Sequence, residues 1–229
     1  MSAIGVVLNI NKQSKTHKLC LIFFCKNLIQ NLKEYVILKI LGAKMKIVTK
    51  RLYFRKWNFD DADFCVDGLN DYDVAKNLTS PFPYTKQDAI SFIEKRLNDN
   101  DKNFYFAVIR KDDNRIIGGT NISINENGEF RGGFWVHRDY QGNGYGTEIF
   151  IARAKFVFDI LGANELRNGY HYFNERSWKI QNKMGYKIVG ESEHFCPALK
   201  GNVKEIVTKL KKSDFEKFYK TIDFEFSVQ

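Results

Sequence analysis

No two cysteines of this chain form a Cys-x-x-Cys pair. Cys20, Cys25, Cys65 and Cys196 are scattered, and none falls at metal-ligand spacing from His17, His137, His171 or His194. No metal is therefore expected, and four scattered thiols suit a reducing cytoplasm, each read as a small buried hydrophobe. Long apolar runs are missing too. The run Leu19 to Cys25 is seven residues and stops at Lys26, far short of the roughly 20 that a membrane span needs. A signal peptide would want a longer apolar core and a small-residue cleavage site, and neither is clear. The chain has no Gly-x-Ser-x-Gly nucleophile turn, no internal repeat, no Pro-rich linker and no low-complexity tract. At 229 residues it is long enough for one well-buried domain and short for two.

Acid is in short supply only at one end. The formal charge is +9, but residues 1–44 hold seven lysines against one glutamate, so 45–229 carry only +3. A domain so weakly basic is not a nucleic-acid platform, and no strand pair combines stacking aromatics with basic residues. Residues 1–44 read as an addition. Helical spacing over 28–41, with Lys33 and Lys39, allows a basic amphipathic helix. The simpler expectation is that Met45 is the true start and that 45–229 form a single domain. With 20 phenylalanines, its core should be aromatic.

The chain does have one dense signal, Gln141-Gly142-Asn143-Gly144-Tyr145-Gly146. Before it, Gly133-Phe134-Trp135-Val136-His137 reads as a strand; after it, Thr147 to Phe158 places apolar residues at helical spacing. Strand, glycine-rich turn and helix make a phosphate cradle: glycines let backbone approach an anion, and the first-turn N–H groups point at it. It is not a P-loop, because Gly146 is followed by Thr147-Glu148 with no lysine. Nor is it a dinucleotide fingerprint, whose third glycine would be Thr147.

Elsewhere, residues 51–57 read as a strand and 60–69 as a helix. Thr85-x-x-Asp88 is a capping box opening a helix to about 98. Strands follow at 104–110, 115–124 and 129–137. Helix 144–161 ends at Gly162, followed by strand 166–172 and helix 175–184. Strands at 186–193 and 203–210 and a terminal helix at 213–219 complete the chain.

Gln141, Gly144 and Gly146 resemble the Gln/Arg-x-x-Gly-x-Gly/Ala pyrophosphate loop of the GNAT-fold N-acetyltransferases. Asn174-x-x-Ser177 with Lys183-Met184-Gly185-Tyr186, the run Arg51 to Trp57 with Asp60-Asp61-Ala62-Asp63, and Ile116-Ile117-Gly118-Gly119-Thr120 are similar to that family's other segments. Order and separations agree over roughly residues 49–212, most closely with the ribosomal-protein N-terminal acetyltransferases of RimJ/RimL type. The resemblance implies an α+β GNAT fold: a mixed, mostly antiparallel sheet of about seven strands, helices on both faces, and a splay between two strands at the cofactor site.

It also implies acetyl-CoA as co-substrate, an amine acceptor, and a monomer or homodimer without membrane or nucleic-acid partners. The amides of Gly142, Asn143, Gly144, Tyr145 and Gly146 would face the pyrophosphate. The pantetheine arm would lie along Trp135, Val136 and His137. Asn174 and Ser177, one helical turn apart, would contact the cofactor, with Ser177 protonating the departing sulfur, since the family's frequent tyrosine is here Gln181. A helix cap alone would also explain that pair. The base is the weakest assignment. Relatives often carry a glutamate where this chain has Arg131. Glu129, two residues back, is the candidate, with Tyr170 and His171 as alternatives. Pro81 to Tyr84 would line the acceptor groove. The six aspartates between 60 and 73 read as helix-start and surface charges or as an attraction for a cationic acceptor. A peptide α-amine is the expected acceptor. A small amine such as a polyamine or aminoglycoside, or a module that binds acyl-CoA without catalysis, are the rivals.

Overall fold

Apolar residues at every second position build the sheet, and where both faces are covered the alternation disappears. The computed structural model describes residues 45–97 and 103–229. The expectations for residues 1–44, including the helix at 28–41 and Cys20 and Cys25, lie outside the described residues, as does the end of the helix near 98. Strands β1 (Ile47–Thr49) and β2 (Leu52–Arg55) are followed by α1 (Ala62–Leu69), a single turn α2 (Tyr72–Ala75) and α3 (Lys86–Leu97). Then come β3 (Asn103–Arg110), β4 (Ile116–Ile124), β5 (Phe130–Arg131) and β6 (Phe134–Val136). Helix α4 (Tyr145–Lys155) continues through a π-helical turn, Phe156–Ile160. The chain closes with β7 (Glu165–His171), α5 (Glu175–Lys183), β8 (Lys187–Cys196), β9 (Gly201–Lys211), α6 (Lys212–Tyr219) and β10 (Phe226–Val228).

The strands make two antiparallel sheets. One has seven strands in the order β10-β1-β2-β3-β4-β5, with β6 also pairing β4; the other is β7-β9-β8. In β3, Phe104, Phe106 and Val108 face the core under α4, while Tyr105, Ala107 and Ile109 face the core under α1 and α3. This two-sided burial explains its unbroken apolar run. The first core is rich in rings, among them Phe54, Phe150, Phe156, Phe158 and Phe215. Cys65 and Cys196 are buried, and burial pushes the Cys65 thiol up to about 12. No helix among the described residues is long and apolar enough to cross a membrane.

The expected strand at 129–137 is two strands. Gly132 has φ 157°, and a Cβ there would lie 2.1 Å from the Asn121 carbonyl oxygen. The Asn121 side chain instead accepts from Gly133 N–H at 3.0 Å. β5 therefore pairs the far end of β4, and β6 pairs Gly118–Thr120. The first strand is shorter than 51–57 and is joined by β1 and β10, which three-residue segments do not announce. β10 runs antiparallel to β1, and Lys46 and Gln229 exchange both backbone hydrogen bonds beyond the ladder.

Among the described residues, β6 pairs only with β4, and β7 only with β9. Two strand edges are thus left open toward a shared gap, the kind of splay that the family resemblance implies.

Candidate active site

A cleft of about 1700 Å³ opens at that gap. Its first wall is made of backbone. Gly142 and Gly144 have φ of 80° and 78°, in the left-handed region that favours glycine. Gly144 caps α4, so the amides of Tyr145, Gly146 and Thr147 form the helix's first turn, where N–H groups have no partner four residues back. Gly146 has no positive φ, and a Cβ there would make only ordinary contact with the Phe134 ring, at 3.4 Å.

The loop is tied down at three points. The Gln141 amide donates to the Val136 carbonyl at 2.9 Å and accepts from Arg176 at 3.1 Å. Arg51 donates to the Asn143 carbonyl at 2.9 Å and lies over the Tyr145 ring. Glu148, buried in the first turn of α4, accepts from Thr49 at 2.6 Å, from the Arg51 backbone at 3.0 Å and from the Arg51 guanidinium at 2.7 Å. A carboxylate at a helix N-terminus is favoured by the dipole, and here every partner comes from the β1–β2 turn. Sequence reading missed this anchor, because Thr49 and Glu148 lie 99 residues apart.

A strand residue directs its N–H and C=O to the same side. The Val136 carbonyl faces Gln141 rather than β4, so the Val136 amide also faces the open edge of β6. Trp135 lines the cleft, and its ring stacks on Phe64 against Gly68 and Gly119, where a Cβ would collide. His137 is turned away. Its ring packs on Phe64 and bonds Asp67 at 3.0 Å, outside the cleft lining.

Helix α5 supplies the next group. Asn174 caps it, its side chain accepting from Ser177 N–H at 3.1 Å, so the capping reading holds for Asn174. Both residues nevertheless line the cleft. The Thr208 hydroxyl donates to the fully buried Gln181 side chain, whose NH2 donates to Ser177 Oγ at 2.9 Å. Ser177 Oγ is thereby an acceptor toward the protein, which leaves its O–H to donate outward.

The opposite wall is made of side chains from β7, β8 and β9. Glu129 is not among them. Glu129 lies just before β5, in the turn closed by Asn125, and its carboxylate pairs with Arg167 at 2.8 Å and accepts from Asn125 at 2.9 Å. The structure does not place Glu129, the expected base, in the cleft lining. Arg131 does line the cleft. Tyr170 stacks on Trp178 of α5, and burial raises its pKa, the wrong direction for a base. His171 has both ring nitrogens engaged. The Lys76 carbonyl at 2.9 Å can only accept, which fixes the Nδ1–H tautomer; Nε2 then accepts from His194 at 2.8 Å. Burial, with His194 alongside, lowers its pKa despite the Lys76 hydrogen bond and Glu205.

The aspartate cluster is mostly structural. Asp61 takes a bidentate Arg55, Asp63 pairs with Lys86, Asp67 holds His137, and Asp71 caps α2. Only Asp73 of the six lines the cleft, paired with Lys76 and Arg138. The 81–84 loop is clamped by Asn70, whose side chain bonds both the N–H and the carbonyl of Tyr84, at 2.8 and 2.7 Å. Pro81 and Tyr84 line the cleft there.

Residues 51–187 match the model of the acetyltransferase (GNAT) domain. An uncharacterized N-acetyltransferase YnaD of Bacillus subtilis (strain 168) is 28% identical over 160 residues, covering 69% of this chain and 91% of that protein. Among solved structures, the ribosomal-protein-S5-alanine acetyltransferase from Vibrio fischeri superimposes with a TM-score of 0.58 at 20% identity, over 73% of this chain and 98% of that one. The spermidine N-acetyltransferase from Vibrio cholerae, solved in complex with CoA and spermine, gives 0.61 at 17% identity, over 72% and 98%. At these identities the structures show the shared fold.

Proposed function

The chain belongs to the GNAT family of acetyltransferases, and from that premise we propose that it moves acetyl from acetyl-CoA to a peptide α-amine, by direct attack in a ternary complex. It is an N-acetyltransferase that uses acetyl-CoA; the acceptor, the RimJ/RimL-type branch and the roles of individual residues belong to the proposal. The observation that carries it is the Ser177 hydroxyl, set as a donor by Gln181 and Thr208 in the same cleft as the glycine loop and the open β6 edge.

The amides of residues 142–146 hold the pyrophosphate. The β6 edge at Trp135 and Val136 aligns the pantetheine arm, and the Val136 amide faces the position where charge develops on the acyl oxygen. Asn174 keeps the first turn of α5 in place. Ser177 donates its proton to the departing sulfur and regains one from solvent.

The absence of a glutamate at position 131 favours an acceptor that is easily deprotonated. Holding an α-amine of pKa near 7.8 neutral at pH 7 costs about 1 kcal/mol, against about 5 kcal/mol for a lysine near 10.4. A second reading, a small cationic amine, is favoured by Asp73, Glu193 and Glu205 in the cleft lining. The test is CoA release by the full chain with an Ala-initiated peptide, the same peptide blocked at its N-terminus but carrying lysine, and spermine. The first should lead. If the blocked lysine peptide or spermine outran it, the α-amine proposal would fail. Micromolar acetyl-CoA binding without turnover of any acceptor would favour a module that has lost catalysis.

A further inference from the structure

Gly169, near the end of β7, has Glu205 lying across it. A Cβ at Gly169 would sit 2.1 Å from Glu205 Oε1 and 2.4 Å from its carboxyl carbon. Glu205 is on β9, directly opposite His171, and Gly169 is opposite Val207. The carboxylate therefore reaches diagonally over β7, the strand whose far edge forms the gap, through space that only a glycine leaves open. Its other oxygen, Oε2, accepts from Ser192 at 2.7 Å. Gly169, Glu205 and Ser192 all line the cleft.

Side-chain direction adds the second observation. Residues opposite one another in a ladder share a face, and alternate residues share it too. Thr208 and Tyr170 face α5, through Gln181 and Trp178. Gly169, His171 and Glu205 face the other way. Ser177 and Glu205 thus approach the same gap from opposite faces of the β7-β9-β8 sheet.

We infer that Glu205 is the proton acceptor of this site and that Gly169 is the positioning residue that admits its carboxylate to the gap. The inference rests on the acetyltransferase reading. As the amine nitrogen bonds the acyl carbon, its N–H proton passes to Glu205 Oε1 and then to solvent. The C–S bond breaks on the opposite face, and the sulfur takes the Ser177 proton. One amide and one thiol result.

The titratable and charged groups around Glu205 are His171 on β7, Ser192's neighbour Glu193 and His194 on β8, and Lys204 on its own strand, which pairs with Glu191. The Asp73–Lys76 pair and Cys196 lie beyond, at the Lys76 carbonyl that binds His171. Burial lowers the His171 pKa, and among the described residues the bond printed to the Glu205 carboxylate is the neutral Ser192 hydroxyl's.

The test compares the full chain with E205Q, G169A and the double variant, using acetyl-CoA with an Ala-initiated hexapeptide and with spermine. E205Q should lower kcat by about 100-fold or more, the scale of a lost general base. It should also abolish the acid limb of the kcat–pH profile and leave acetyl-CoA affinity within twofold. G169A, which displaces the Glu205 side chain from its Cγ outward, should lower kcat about tenfold and add nothing in the E205Q background, because coupled residues do not sum. Wild-type kcat or an intact acid limb in E205Q, or independent losses in the double variant, would overturn the inference. If neither acceptor is turned over while acetyl-CoA binds, the acceptor proposal fails. Calorimetry of spermine with the CoA-loaded protein then decides for Glu205. A tenfold weakening in E205Q supports it, and equal affinity, or no binding to either form, sinks it.

Discussion

The β6–α4 wall of the cleft offers backbone, and the β7–β9–β8 wall offers side chains. The first binds through amides whose direction is fixed by Gly142, Gly144 and the start of a helix, with Glu148 clamping the turn from behind. The second presents Glu205, His171 and His194 from three separate strands, β9, β7 and β8. The division has a physical basis. An anion shared by every acyl donor can be held by peptide groups that cannot be titrated or lost. Moving a proton needs groups that change charge, and such groups are side chains.

Breaking the backbone wall should give the largest effect. Gly144→Val forces a β-branched residue into φ 78°, a conformation that L side chains rarely adopt, although its Cβ would meet Arg51 only at an ordinary 3.5 Å. The loop must turn away to relieve it. Charge-assisted hydrogen bonds contribute about 1.5–3 kcal/mol each, so losing one or two should weaken acetyl-CoA binding by about 100-fold or more. Calorimetry against CoA measures this, and circular dichroism checks that the fold survives. Unchanged affinity would remove the loop from the cofactor site.

The two walls also differ in how well the sequence announces them. The glycine loop is local: six consecutive residues carry both the positive φ values and the helix start, so composition and spacing reveal it. The side-chain wall depends on register. In β8, Val189 is an extra residue, since Ile188 pairs Thr208 while Gly190 pairs Val207. That bulge shifts every later residue by one and so decides that Ser192 and His194 face Glu205 rather than the other side. Nothing in Lys187 to Cys196 taken alone foretells it. Glu129 is decided in the same non-local way: the strand starts one residue later than expected, and Arg167 of β7 takes the Glu129 carboxylate. The family segments, the capping box at Thr85 and Asp88, and the left-handed Gly162 were legible because each is encoded within a few residues.

A middle-sized effect separates chemistry from cofactor binding. Ser177→Ala should lower kcat about 10- to 100-fold, within the range of a lost general acid, with little change in acetyl-CoA affinity. Gln181→Leu leaves Ser177 in place but frees its hydroxyl and orphans the buried Thr208 hydroxyl. It should cost about 1–3 kcal/mol of stability and a smaller part of kcat. Denaturant titration alongside steady-state rates would show both. If Gln181→Leu slowed turnover more than Ser177→Ala, the donor role would pass from Ser177 to Gln181.

The smallest effect tests the electrostatics of the side-chain wall. Burial, aided by the neighbouring His194, lowers the His171 pKa below its ordinary 6.5. The unfolded chain then binds more protons than the folded one as soon as pH drops below 6.5, so the stabilising contribution is complete above 6.5. It is lost as pH falls through the folded pKa, with a slope of at most about 1.4 kcal/mol per pH unit for one group. Asp73 and Asp113, both lowered to about 2 by their hydrogen bonds to cations, begin to give way only below 3.8. His171→Asn retains a donor for the Lys76 carbonyl and removes the titration. Denaturation midpoints between pH 7.5 and 5 should fall faster for the wild type than for this variant. Parallel curves would mean that His171 takes up its proton as readily in the fold as in water. The Nδ1–H tautomer bonded to Lys76 and His194 would then be only one of its states, and the cavity beside Glu205 would be wetter than the buried geometry of His171 implies.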